Sequence, residues 1–180
     1  MPNDAAHVTW QSGPSDPPTL LDGPGTSVET MVSAPPSRVW ELVSDIEVPV
    51  RFSRELVAAR WSDDSPEPGV GAVFVGSNRN SRIGEWDIPC HVVEWDRPRS
   101  FAWATMDPSA PGATWRYEID DVEGASRLRH SVVIGPGPSG LQAYIDGDPS
   151  NAGAAIASRL ANLRTNMQSV VDGIAALAEA

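Results

Sequence analysis

Of His7, His91 and His130, only His130 is turned inward by strand alternation, because it shares a face with Leu128, Val132 and Ile134 in an apolar run. An imidazole so placed has two readings. It is a hydrogen-bonding group or general acid/base toward a ligand carbonyl, or a buried neutral ring satisfied by Tyr117, Thr105 or backbone. Tyr117 and Asn78 are the candidates to act beside His130, since proton abstraction next to a carbonyl needs a base together with a donor for the enolate. Alternation supplies the surrounding wall. Phe74 shares a face with Asn78, Trp86 with Ile88 and Cys90, Phe101 with Trp103 and Thr105, and Trp115 with Tyr117 and Ile119. These positions predict an aromatic interior suited to a flat or unsaturated apolar ligand, with the alternative that the seven tryptophans simply fill a core. Tyr144, Arg159 and Leu163 complete the predicted contacts. Tyr144 belongs with Leu141 and Ile145 to a gate; Arg159, like Arg164, either reaches an acidic ligand group or snorkels to solvent.

Other chemistries are less well supported. Cys90 with His130 as base would make a nucleophile, but the expected strand order sets them three strands apart, about 14 Å, so Cys90 reads as a small buried hydrophobe. Asn78 and Arg79 flank a turn, where Arg79 pairs with Glu85 or faces water and Asn78 is either turn chemistry or a pocket donor. The run Gly135-Pro136-Gly137-Pro138-Ser139-Gly140 matches no phosphate-binding loop and reads as a lid or connection. With a single cysteine there is no intrachain disulfide and no Cys/His array of metal-binding spacing, so neither a metal nor a cofactor is expected.

The elements that must hold these residues are legible in the periodicity. Residues 1–25, with Pro2, Pro14, Pro17, Pro18 and Pro24, read as a flexible extension in which Trp10 is the only aromatic, and the domain proper spans 26–180. From Thr26 a strand sets Val28, Thr30 and Val32 on one face. Pro36-Ser37 then opens a short helix with Val39, Leu42, Val43 and Ile46 at helical spacing, and a second helical turn is expected from Val50 to Leu56. Six further strands come next at 56–62, 71–79, 83–95, 99–106, 113–121 and 126–134, divided by turns such as Asp96-Arg97-Pro98 and Glu123-Gly124. Short links make an antiparallel meander. Finally, Ile156, Leu160, Leu163, Met167, Val170 and Ile174 step by 4, 3, 4, 3 and 4 along one helix face from 151 to 180, a length of roughly 45 Å, with Asp148 as N-cap ahead of Pro149. The class is α+β: a seven-stranded curved antiparallel sheet around a long C-terminal helix, with a hollow expected between Met167's side of the helix and the aromatic wall.

Composition narrows the partners. A formal charge of −11, from 13 Lys+Arg against 24 Asp+Glu, excludes the basic face that nucleic acid or an anionic membrane surface requires. The N-terminal residues lack the pattern of an export signal and no apolar run is long enough to span a bilayer, so a cytoplasmic protein is expected, monomeric or homodimeric.

The order strand, short helices, six strands, long helix resembles the helix-grip fold of the START/SRPBCC superfamily, which includes bacterial polyketide cyclase/dehydrase and lipid-transport proteins. The resemblance covers about residues 26–178 and rests on Val32-Ser33-Ala34-Pro35-Pro36-Ser37-Arg38-Val39-Trp40 and on Gly69-Val70-Gly71. Asn78-Arg79, Gly84-Glu85-Trp86, Phe101-Ala102-Trp103 and Trp115-Arg116-Tyr117-Glu118 add local likeness to an actinobacterial branch. It implies a small hydrophobic ligand, lipid- or polyketide-like, held between the concave sheet face and the long helix. One scaffold serves several functions there, which leaves three expectations: a carrier or sensor, a cyclase/aromatase that closes a poly-β-ketone by aldol chemistry, or a chaperone-activator-like interaction module.

Overall fold

The computed structural model describes residues 19–65, 67–81 and 84–180. His7, Trp10 and most of the expected extension lie outside these residues. Alternating burial along β1 (Gly25–Val32) confirms the first strand, with Val28 and Val32 facing the core. The core also takes in Leu20, in a 3₁₀ turn upstream of the expected domain start.

α1 (Pro36–Val43) begins at its proline, where the missing N–H has no helical partner to lose, and buries Val39, Trp40, Leu42 and Val43. The expected second helical segment is shorter and earlier, a 3₁₀ turn at Pro49–Arg51. Ser53 ends it by accepting hydrogen bonds from the Glu55 and Leu56 N–H groups at 3.2 and 2.8 Å, which redirects the chain into a strand.

Then come β2 (Leu56–Trp61), β3 (Val73–Asn80), β4 (Gly84–Asp96), β5 (Ser100–Thr105), β6 (Ala113–Val122) and β7 (Ala125–Ile134), and the seven strands pair antiparallel in the order β1-β7-β6-β5-β4-β3-β2. Only the β1 to β7 pairing joins strands distant in sequence, so the sheet is a meander closed back on its first strand.

The chain between β7 and the last helix contains an element that periodicity does not reveal, α2 (Gly140–Gly147). Ser139 caps it by accepting from the Gln142 N–H at 3.0 Å. The Asp148 carboxylate does not cap α3: it accepts from the Ser150 hydroxyl at 2.7 Å, while the Asp148 N–H closes α2, and a 3₁₀ turn at Pro149–Asn151 precedes α3 (Ala152–Glu179).

Both sides of the sheet reach for α3. The Ser27 carbonyl of β1 accepts from Arg164, and just beyond the strand the Ser33 N–H donates to Glu179 at 2.7 Å. From the segment before β2, the Arg54 N–H donates to Asn166 Oδ1 at 2.7 Å, and the Phe52 ring lies directly on Gly173, where a Cβ would overlap it. The helix face Ile156, Leu163, Met167, Val170 and Ile174 is buried in the same core as Phe74, Phe101 and Leu128, each fully enclosed side chain contributing about 1.5–3 kcal/mol. Among the described residues, no helix is long and apolar enough to cross a membrane.

Candidate functional site

The concave face divides into two ends. At the α1 end, Trp40 meets Trp95 edge-on with centroids 5.2 Å apart, Trp95 meets Phe101 at 5.0 Å, and Trp61 meets Phe74 at 5.6 Å. These contacts fill space. Met167 is only 1% exposed, so the hollow expected at its side is closed to anything the size of water. Trp95 enters this cluster because a bulge between Val92 and Glu94 shifts the β4 register. Strict alternation from Trp86 would turn Trp95 outward. Instead Glu94 faces out and binds Arg116 at 2.9 Å, and the next residue's indole turns in.

The end facing α2 is different. Trp86, Ile88, Trp103, Ala113 and Trp115 sit at inward positions yet are only half-buried, as are Leu141 and Ile145 of α2 and Leu160 of α3. Trp103 and Trp115 are cross-strand partners whose rings stack, with planes 6° apart and centroids 6.2 Å apart. Two shallow surface grooves, of about 500 and 400 Å³, lie elsewhere: on the outer side of α3 beside Arg164 and Asp172, and between Pro36 and Asp120.

His130 stands beside the two indoles, 5.6 Å from Trp115 and 6.2 Å from Trp103 between ring centroids. The residue is 5% exposed, and neither Nδ1 nor Nε2 has a hydrogen-bond partner among the described residues. Neither expected side-chain partner satisfies it. Tyr117 stacks on the imidazole face, and hydrogen bonds to an imidazole run through the ring plane. The Thr105 hydroxyl is engaged by Ala113, donating to its carbonyl at 3.2 Å and accepting from its N–H at 2.9 Å. Burial pushes His130 down to about 3 and raises the Tyr117 phenol, so both rings are neutral.

The remaining candidates are distributed around this centre. Phe74, Cys90 and Leu163 are deep in the core, and burial pushes the Cys90 thiol up to about 12. Asn78 is half-buried and donates to the Gly76 carbonyl at 3.2 Å, while Arg79 pairs with Glu85 at 2.7 Å on the exposed side. Tyr144 is 53% exposed and turned from the core, its hydroxyl accepting from Asn151 at 3.0 Å, whereas its neighbours Leu141 and Ile145 do face inward.

Arg159 neither snorkels nor stands free. Its guanidinium holds both Glu55 oxygens, at 2.8 and 2.7 Å. Glu55 has no signature in the sequence, because the pair joins positions 104 residues apart. Its neighbour Leu56 pairs with Asn78 on β3, opposite Trp86 of β4.

No curated protein matches the chain. Among solved structures it is similar to a polyketide-cyclase-like protein from Corynebacterium glutamicum, at 25% identity and TM-score 0.61 over 85% of this chain and 90% of that one. It is also similar to the Zhui aromatase/cyclase from a Streptomyces species, at 15% identity and TM-score 0.63 over 87% and 93% of the two chains. A di-domain aromatase/cyclase, BexL, matches at 16% identity and TM-score 0.63 over 87% of this chain and 50% of that one. Residues 25–168 match the family described as polyketide cyclase / dehydrase and lipid transport. With its helix-grip architecture and a match over most of its length, the chain belongs to that family.

Proposed function

We propose that this protein binds a small, flat, hydrophobic molecule against Trp103 and Trp115 and anchors it through His130, without transforming it. The observation that supports this is the pair of unpartnered nitrogens on a ring that is 5% exposed. Leaving a buried donor or acceptor unsatisfied costs about 1–3 kcal/mol. A neutral imidazole presents one of each, so a carbonyl or hydroxyl on a ligand would recover part of that cost once the half-buried indoles in front of His130 move aside to admit it. Half-buried indoles at the same end offer stacking area, with Trp86 and Ile88 extending it. Phe74, Cys90 and Leu163 would back this slot from the core.

The cyclase reading draws on the aromatase/cyclase neighbours and on the family. It needs a base near neutral pH with converging donors. His130 at about 3 is a weak base, Thr105 is held by Ala113 and Asn78 by Gly76, which favours binding over turnover.

Titration with 2-acetylnaphthalene, a planar aryl ketone, tests the binding reading through tryptophan fluorescence. Saturable quenching is expected, weakened about tenfold in His130→Phe, which keeps an aromatic face and removes the hydrogen bond, a loss of about 1.4 kcal/mol. Absence of saturable quenching overturns the reading.

A further inference from the structure

We infer that Arg164 and Glu179 of α3, together with Glu29 at the middle of β1, bar the outer edge of β1 from pairing with the same strand of a second copy of this chain. The device withholds an interaction surface and is independent of any ligand.

β1 ends the sheet, and β7 is its only strand partner among the described residues. Ladder parity identifies its spare backbone groups. The Ile134 N–H donates to the Pro24 carbonyl at 2.8 Å, and Pro24 continues the β1–β7 register by one pair, so even-numbered residues of β1 bond to β7. Odd-numbered residues therefore turn their N–H and C=O groups to the outer edge: Gly25, Ser27, Glu29 and Met31, with Ser33 continuing the row. Such a row is a template for another strand.

α3 closes the row at two points. Arg164 donates to the Ser27 carbonyl, and Glu179 accepts from the Ser33 N–H at 2.7 Å, both on odd-numbered positions. The spacing fits a helix laid along the strand, because about 20 Å of strand separates Ser27 from Ser33 and about 22 Å of helix separates Arg164 from Glu179. Val171 and Ala175 lie on the same stripe between these clamps and are buried, which seats the helix close to β1.

The occupant that fits this edge is a second β1. The row from Gly25 to Ser33 is centred on Glu29, so antiparallel pairing about a two-fold axis sets Ser27 against Met31 and Gly25 against Ser33 of the other copy. That pairing needs the Ser27 carbonyl and the Ser33 N–H, the two groups α3 has taken. It also sets Glu29 against Glu29, a like-charge contact that Arg129, 3.2 Å away on the exposed face, only partly offsets. Glu29 and Met31 are themselves exposed, Met31 at 54%, so the middle of the edge is guarded by charge and its ends by α3.

Sedimentation velocity of the full chain at neutral pH tests this, comparing the unsubstituted protein with Arg164→Ala/Glu179→Ala and with the same double variant carrying Glu29→Thr. Self-association is expected to tighten at least about tenfold in the double variant and further in the triple. Adding Met31→Pro to the triple variant should abolish the gain, because it removes an outward N–H and leaves the ladder to β7 intact. In dilute protein, Glu179→Ala alone should speed exchange of the Ser33 amide about tenfold, read by NMR. The inference is overturned if the double and triple variants associate no more tightly than the unsubstituted protein, or if the gain survives Met31→Pro. Should the triple variant fail to fold, the double variant and the Ser33 amide decide: unchanged association or an unchanged exchange rate overturns it.

Discussion

The imidazole of His130 and the phenol of Tyr117 stack with centroids 4.1 Å apart and planes 22° apart. Their β-strands pair these two residues directly, so backbone register sets the contact. Stacking uses the ring faces and leaves the polar edges of His130 without a hydrogen-bond partner among the described residues.

Acid should destabilise the fold through His130. Burial lowers the imidazole from 6.5 in the unfolded chain to about 3 in the fold. Between those values the unfolded state binds the extra proton, so stability that is fully present above pH 6.5 is lost progressively as pH falls toward 3. Urea midpoints measured from pH 7 down to pH 4 should therefore fall more steeply in the unsubstituted protein than in His130→Phe. Parallel slopes would refute this role for His130.

Cys90 should be nearly inert in the folded state. Its side chain is 3% exposed and its thiol is pushed up to about 12, so thiolate is scarce at pH 8 and access is blocked. Alkylation by iodoacetamide should become rapid only in denaturant, and mass spectrometry of timed samples distinguishes this from fast native labelling.

Gly173→Ala should destabilise α3 although alanine is the better helix former by about 1 kcal/mol. The added methyl overlaps the Phe52 ring, so Phe52 must leave its seat, and overpacking of this kind costs about 1–3 kcal/mol. A lowered thermal midpoint is expected; a raised one would mean that Phe52 moves freely.

Thr105→Val should separate stability from binding. Its hydroxyl joins β5 to Ala113 through two hydrogen bonds, whose loss leaves Ala113 groups unpaired and should cost about 1–3 kcal/mol in denaturant unfolding. Ketone affinity should change by less than about twofold, since the hydroxyl is turned to backbone and not to the slot. A large loss of affinity with unchanged stability would place Thr105 among the ligand contacts.

Much of this architecture arises from local chemistry. The period of two in Trp115, Tyr117 and Ile119, and in Leu128, His130 and Val132, predicted both the strands and their inward faces, because pleating assigns alternate side chains to opposite sides. The 4-3-4-3-4 spacing from Ile156 to Ile174 likewise predicted α3 to within a residue at each end. Trp95 escaped that logic, since a bulge adds one residue to the count and reverses the face of the residues beyond it. α2 escaped because eight residues bounded by glycines carry little periodic signal; the Ser139 cap and the burial of Leu141 and Ile145 against the core help hold it.

Local patterning was enough to specify the seven strands, α1 and α3, their order and most of the inward faces, because each depends on neighbours within a few residues. Long-range packing was needed to settle which inward residues fill the core and which stay half-buried, to leave His130 without a partner among the described residues, and to bring Glu55 onto Arg159. Those outcomes depend on curvature and on contacts between positions about a hundred residues apart, where local periodicity carries no information.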